Sequence, residues 1–224
     1  MRPWKTLEVV DSPDGRLELR ARGERDLVIM HDGRVLMSSM LHRSEAELSV
    51  WGCGPVRGRP APRVLTAGLG LGFTLRAALD ILPATAEVVV AELNAVVVEW
   101  CRGPAAKVSG DALADERVTV VVGDVMDCVR AASRGEVAPY DAIVIDLYVG
   151  PGSDWSGELE AVYGKRALAS VKAALTPGGV YAVWGEAVDP RFHARLERAG
   201  FITTTARPKG PERRHVVYVA IKPE

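Results

Sequence analysis

Residues 63–75, RVLTAGLGLGFTL, read as a buried strand, a glycine-rich turn and the start of a helix. The glycines of the turn, Gly68, Gly70 and Gly72, carry no Cβ, so the backbone can turn sharply there and approach a ligand closely. From Thr74 onward the apolar residues follow helical spacing. A helix N-terminus that leaves a glycine turn suits a polar or anionic ligand group. The stretch therefore predicts a nucleotide-like cofactor at the carboxyl ends of the strands of an α/β sheet.

The spacing of the glycines argues against a dinucleotide cofactor. The dinucleotide fingerprint has a third Gly or Ala three positions after the second glycine, where the helix packs closely on the strand. That position is the bulky Phe73, and the glycines are spaced G-x-G-x-G. We therefore expect a nucleoside cofactor bound mainly through its ribose and the protein backbone. An ordinary strand–helix turn without a ligand is the alternative.

Length, charge and cysteine usage limit the classes of function. A chain of 224 residues suits one domain, or one domain with a small appendage. The formal net charge of −1 and the lack of a basic run predict no nucleic-acid partner. No apolar segment reaches the length of a membrane span, and residues 1–5 lack the apolar stretch of a signal peptide. Three scattered cysteines fit reduced thiols rather than a metal site, so we expect a cytoplasmic protein without a metal.

Alternating strand and helix patterns predict the fold class. The predicted strands are 63–67, 87–92, 117–122, 141–146, 180–184, 201–206 and 215–221. The predicted helices are 73–82, 94–102, 125–133, 158–175 and 190–199. This alternation implies a doubly wound, Rossmann-like α/β sheet that is mostly parallel. Since no helix separates the last two strands, they predict a hairpin and an antiparallel edge strand.

The first 62 residues predict a small antiparallel β-element ahead of this sheet. Turn signals separate the predicted strands 7–10, 17–20 and 27–30. Ser44 and Glu47 form a capping-box pattern that predicts a helix from residue 44 to residue 51. The Gly- and Pro-rich residues 52–62 read as a linker. The predicted division is therefore 1–62 for the β-element, helix and linker and 63–224 for the cofactor-binding and catalytic domain.

Acidic side chains end three successive strands after the glycine turn. Glu92 follows the turn by about twenty residues, where a carboxylate can accept both ribose hydroxyls. Asp124, after Gly123, suits either an adenine amine or the cap of the next helix, and both roles can hold together. Asp146 ends a wholly apolar strand, where the alternative to a functional carboxylate is a turn-forming residue. Together these acids predict a site at one edge of the sheet.

The arrangement resembles S-adenosylmethionine-dependent methyltransferases and, more closely, the spermidine synthase family of polyamine aminopropyltransferases. The likeness covers most of the chain, and the segments that carry it are residues 32–38, 64–75, 91–98, 140–146, 162–165, 175–179 and 184–186. The resemblance implies S-adenosylmethionine or its decarboxylated form as cofactor. It also implies that the N-terminal strands can form a homodimer interface, whereas packing on their own domain is the alternative. The cofactor residues that it implies are Gly68, Gly70, Gly72, Glu92, Leu93, Gly123 and Asp124.

The chain departs from the family at the positions that bind an amine. The family's loop Asp, which helps to hold the aminopropyl end of the decarboxylated cofactor, is Leu71 here. Of the two acids in the family's D-S-S-D segment, this chain keeps only the first, as Asp146. The Tyr that the family has before the linker is replaced here by Glu45. The acids that could compensate are Glu45, Glu47, Asp154 and Glu186. Of these, we expect Glu45 and Asp154 at the surface.

These departures favour methyl transfer to a small-molecule acceptor, with Asp146 orienting or deprotonating the nucleophile. The alternatives are aminopropyl transfer that makes a polyamine and a cofactor-binding protein without catalysis. Glu186 is a further candidate substrate-binding residue. The glycine-rich loop 149–157 reads either as a substrate lid walled by Tyr148 and Trp155 or as a plain surface loop.

Overall fold

Two β-sheets organise the chain, and the smaller one comes first. The computed structural model describes residues 2–12, 15–148, 150–151, 157–208 and 214–224. The first sheet is an antiparallel meander in the order β1-β2-β3-β4. Its strands are β1 (Lys5–Ser12), β2 (Gly15–Arg22), β3 (Asp26–His31) and β4 (Arg34–Ser38). This sheet confirms the predicted N-terminal β-element.

The second sheet has seven strands in the order β10-β11-β9-β8-β5-β6-β7. The strands are β5 (Arg63–Ala67), β6 (Glu87–Glu92), β7 (Val118–Val122), β8 (Tyr140–Ile145), β9 (Leu175–Gly185), β10 (Ile202–Ala206) and β11 (Val216–Ile221). Neighbours from β9 to β7 are parallel, whereas β11 is antiparallel to both β9 and β10. The predicted fold class is confirmed, with the antiparallel strand one place in from the edge. The strand order reverses between β5 and β8, where doubly wound sheets open a ligand crevice.

Helices cover both faces of this sheet. They are α1 (Arg43–Cys53), α2 (Phe73–Ile81), α3 (Ala95–Arg102), α4 (Val125–Ser133), α5 (Gly157–Tyr163), α6 (Lys165–Ala174) and α7 (Pro190–Arg198). Buried residues of α1, α2 and α3 share one core with the N-terminal sheet, and those of α4 to α7 form the core on the opposite face. Among the helices of the described residues, none is long and apolar enough for a membrane span.

Three local predictions differ from the structure. The predicted helix 158–175 is divided at Gly164, whose backbone is extended with ψ at 170°. Residues 176–179, predicted as a stop after this helix, lie within β9, where the register with β8 shifts. The capping box is wrong: α1 begins after His42, which places Ser44 inside its first turn, and the Ser44 hydroxyl donates to the Glu45 carboxylate at 2.7 Å.

Candidate active site

The glycine turn is left-handed at all three of its glycines. The φ angles of Gly68, Gly70 and Gly72 are 83°, 52° and 85°, which L side chains rarely adopt. A Cβ on Gly68 would overlap the carbonyl oxygen of Asp146, and one on Gly70 would lie 2.5 Å from the Met37 sulfur. The turn is therefore packed tightly against the end of β8 on one side and the N-terminal sheet on the other.

Glu92 reaches from the end of β6 to this turn. Its Oε2 accepts a hydrogen bond from the backbone N–H of Leu69 at 2.8 Å, and its Oε1 accepts one from Asn94 at 2.8 Å. Burial raises the pKa of the carboxyl, and the backbone N–H donors oppose that rise. The carboxylate therefore fixes the shape of the glycine turn. Its contact with a ribose stays a prediction.

The next strand end carries the helix cap. Asp124 Oδ1 accepts from the backbone N–H of Met126 at 2.8 Å, which caps α4, and Oδ2 lies 3.6 Å from Arg130 Nη2. Gly123 links the end of β7 to the end of β6, since its N–H donates to the Glu92 carbonyl at 2.9 Å. Leu93 is half exposed beside them. The capping role of Asp124 is confirmed, whereas contact of these residues with an adenine stays a prediction.

Asp146 lies at the switch point between β8 and β5. Its backbone N–H donates to the Ala67 carbonyl at 2.8 Å, and its side chain accepts a hydrogen bond from the Thr74 hydroxyl at the start of α2. Burial raises the pKa of the carboxyl to about 7 and the negative charge of Glu45 adds to the rise, while the Thr74 hydrogen bond lowers it. A carboxyl with a pKa near neutrality is poised to take up a proton at physiological pH.

This raised pKa predicts a pH-dependent cost to stability. Because the folded protein holds the Asp146 proton up to about pH 7, its stability is full below the unfolded pKa and falls as the pH rises from about 4 through 7. We therefore expect Asp146→Asn to melt at a higher temperature than the wild type at about pH 8 and at the same temperature near pH 4. Scanning calorimetry across this range measures the difference. A difference that does not change with pH contradicts the assignment.

Glu45 is half-buried and lies near Asp146, because the Thr74 hydroxyl that bonds the Asp146 carboxylate also lies 3.4 Å from the backbone carbonyl oxygen of Glu45. The expectation that it lies at the surface was wrong, because α1 packs against β8, β9 and β11 and brings its first turn to the carboxyl edge of the sheet. Glu45 Oε2 accepts the Ser44 hydroxyl hydrogen bond, and its charge acts on Asp146. The position where the related family has a Tyr thus places a second carboxylate near the first.

The other predicted substrate residues are Tyr148, Glu186 and Trp155. The ring of Tyr148 is half exposed and meets His31 of β3 edge-on, with the centroids 5.7 Å apart. Glu186 is exposed after the end of β9. Trp155 lies outside the described residues, as do Asp154 and most of the predicted lid.

Sequence reasoning missed three residues of this edge: Met37, Thr74 and His215. Met37 sits against the glycine turn, where its sulfur accepts the backbone N–H of Leu71 at 2.9 Å. Thr74 bonds Asp146, and His215 precedes β11 beside the end of β9. Only Thr74 had a local signal, since it opens a helix after a glycine turn.

Both a family model for the sequence and comparisons of the fold relate this chain to a known enzyme family. A family model for the spermine/spermidine synthase domain matches residues 58–214. The chain belongs to this family. Members of the spermine/spermidine synthase family with solved structures share its fold: spermidine synthase from Thermotoga maritima aligns over 97% of this chain and 73% of its own, with a TM-score of 0.73 and 21% identity.

The relatives within the family carry two different activities in their names. Putrescine N-methyltransferase 3 from Nicotiana tabacum is 33% identical over 140 residues, which are 62% of this chain and 34% of the relative. Polyamine aminopropyltransferase from Clostridium tetani is 28% identical over 128 residues, 57% of this chain and 42% of the relative. The matched part is thus less than half the length of either relative. The chain thus belongs to an enzyme family, and its relatives include proteins named as methyltransferases and proteins named as aminopropyltransferases.

Proposed function

We propose that this protein transfers a methyl group from S-adenosylmethionine to a small amine acceptor. The observation that carries the proposal is Leu71, which is fully buried within the glycine turn. The family resemblance implies an Asp there for the aminopropyl end of the decarboxylated cofactor. A buried leucine offers that ammonium group no partner, and it does not repel the carboxylate of the intact cofactor.

The glycine turn has the features that a nucleoside cofactor needs. Its left-handed glycines bring bare backbone to the N-terminus of α2, and the Glu92 carboxylate lies against the Leu69 amide. In the proposal, Gly68, Gly70, Gly72, Glu92 and Asp124 hold the nucleoside. The bound cofactor would supply a methyl group on a sulfonium sulfur.

The acceptor side of the proposed site is acidic. Among the described residues, Asp146 and Glu45 place two carboxylates near the switch point, and their charges interact. Carboxylates attract the ammonium form of an amine, and Asp146, with a pKa of about 7, can take the proton that the nitrogen loses. Since methyl transfer from a sulfonium moves charge without creating it, alignment by the surrounding groups supplies much of the remaining catalysis. The relatives named putrescine N-methyltransferase support a diamine as the first acceptor to test.

Aminopropyl transfer is the second candidate. It is favoured by the relatives named polyamine aminopropyltransferase and by the likeness to a spermidine synthase solved with the transition-state analogue AdoDATO, at a TM-score of 0.73 and 20% identity. The second carboxylate, Glu45, would serve either reaction.

Product analysis separates the two. The purified protein is incubated with putrescine and either S-adenosylmethionine or the decarboxylated form, and products are identified by mass spectrometry. We expect N-methylputrescine with the intact cofactor. Spermidine formed only with the decarboxylated cofactor would establish the second candidate, and no product across a panel of amines would favour a cofactor-binding protein without catalysis.

A further inference from the structure

A chain of hydrogen bonds connects the start of β11 to the first turn of α1. His215 Nδ1 lies 3.1 Å from Ser44 Oγ, and the Ser44 hydroxyl donates to Glu45 Oε2 at 2.7 Å. On the other side of the imidazole, Arg214 Nε donates to His215 Nε2 at 3.4 Å. Because an arginine nitrogen only donates, Nε2 is the acceptor and Nδ1 carries the hydrogen. These three bonds therefore run in one direction and end on the Glu45 carboxylate.

The surroundings of this chain hold it in place. Ser44 is fully buried, so its hydroxyl is confined to its protein neighbours. The His215 ring meets the Trp184 ring edge-on, with centroids 4.9 Å apart and planes at 67°. Because β11 is antiparallel to β9 and Val216 pairs with Gly185, His215 stands at the carboxyl end of the parallel strands. It is thus at the same edge of the sheet as Asp146.

We propose that His215 is a positioning residue of the candidate active site, which acts through Ser44 to hold the Glu45 carboxylate near Asp146 as the second acid of the amine-binding side. The inference rests on the proposed function, because a second acid at this edge has a role in binding only if the acceptor is a cation. It goes beyond that function in assigning roles to His215 and Ser44, which contact neither predicted cofactor residues nor Asp146 in the described hydrogen bonds.

The electrostatics of Asp146 give the inference a measurable consequence. Among the described residues, the groups that act on its carboxyl are Glu45 from α1 and the Thr74 hydroxyl from α2, and Asp146 in turn acts on the buried Tyr163 of α5. Glu45 is the source of negative charge in this set. If the hydrogen-bonded chain holds Glu45 in place, breaking it lets the carboxylate move toward solvent, and the pKa of Asp146 falls.

Titration of the Asp146 carboxyl by ¹³C NMR tests this without requiring catalysis, with Asp146→Asn used to assign the signal. We expect the pKa to fall by about one unit in Glu45→Gln and by a similar amount in Ser44→Ala and His215→Phe, as for one partly screened charge several ångströms away. His215→Asn, which keeps an N–H donor near the position of Nδ1, is expected to retain the wild-type value. In a transfer assay, the first three variants are expected to raise KM for putrescine about tenfold and to change kcat less.

Matched controls use the same chemical changes elsewhere. His193→Phe removes an imidazole that pairs with Thr203 at 3.2 Å, and Ser133→Ala removes a hydroxyl bonded within α4 at 2.8 Å. Both are expected to leave the Asp146 pKa and the KM for putrescine unchanged. Ser44→Ala removes a single oxygen and serves as the test if His215→Phe does not fold.

The outcomes separate the inference from the proposed function. A pKa that falls in Glu45→Gln but stays at the wild-type value in Ser44→Ala and His215→Phe overturns the positioning role. A protein that transfers nothing yet shows the expected pKa changes refutes the proposed function and leaves the positioning role supported. A fall in all three variants with a raised KM supports both.

Discussion

Replacing Asp146 with asparagine is expected to lower kcat/KM for transfer to putrescine by about 10²- to 10⁴-fold, the range that a positioned proton acceptor typically contributes. Asparagine has nearly the same shape, so the hydrogen bond from Thr74 can persist. It has no negative charge, however, and it cannot take the proton from the acceptor nitrogen. The pKa of about 7 that burial gives the carboxyl is the property that the substitution removes.

Steady-state kinetics against pH measures this effect. The wild-type rate is expected to rise with pH through about 7 as Asp146 ionises, and the variant is expected to lose that limb of the profile. Asp127→Asn is the matched control, because Asp127 is an exposed first-turn residue of α4 that pairs with Arg130 at 2.6 Å. Unchanged turnover in a folded Asp146→Asn protein would remove Asp146 from the chemistry.

Replacing Gly68 with alanine is expected to reduce the free energy of unfolding by about 2–5 kcal/mol, the sum of left-handed strain and overpacking. Its φ of 83° is unfavourable for any Cβ, and the added atom would overlap the carbonyl oxygen of Asp146. The Cβ is fixed by the Gly68 backbone and the oxygen belongs to the Asp146 backbone, so neither can move aside cheaply. Since relief requires separating the glycine turn from the end of β8, we also expect cofactor binding to be lost.

Gly135→Ala separates the two contributions to that loss. Gly135 has a φ of 74°, and a Cβ built on it meets nothing within 4 Å. It should therefore cost only the left-handed strain, about 1–2 kcal/mol. Urea unfolding of both variants gives the comparison. Equal losses at the two positions would show that the close approach to Asp146 has no energetic consequence.

Local patterns were sufficient to predict the strands of the second sheet. The strand that becomes β5 was predicted at 63–67 because it is apolar and is followed at once by glycines, and the structure has Arg63–Ala67. The strands at 88–90 and 143–145 are apolar on both faces, which only a sheet covered on both sides explains. The acids that follow these strands share one edge of the sheet, because neighbouring parallel strands end on the same side.

Contacts between distant segments were beyond the reach of the sequence. Ser44 looked like a helix cap, yet its hydroxyl bonds a carboxylate one residue away and a histidine 171 residues away. That meeting depends on β11 lying beside β9, which no local pattern specifies. The surface assignment of Glu45 failed for the same reason. Its partial burial comes from the packing of α1 on three strands of the second sheet.

Calorimetric titration of the purified protein with S-adenosylmethionine and, separately, with its decarboxylated form tests the proposed chemistry most directly. The buried Leu71 in the glycine turn predicts tighter binding of the intact cofactor. Tighter binding of the decarboxylated form would contradict methyl transfer and favour polyamine synthesis. Binding of neither would contradict the assignment of the glycine turn as a cofactor site.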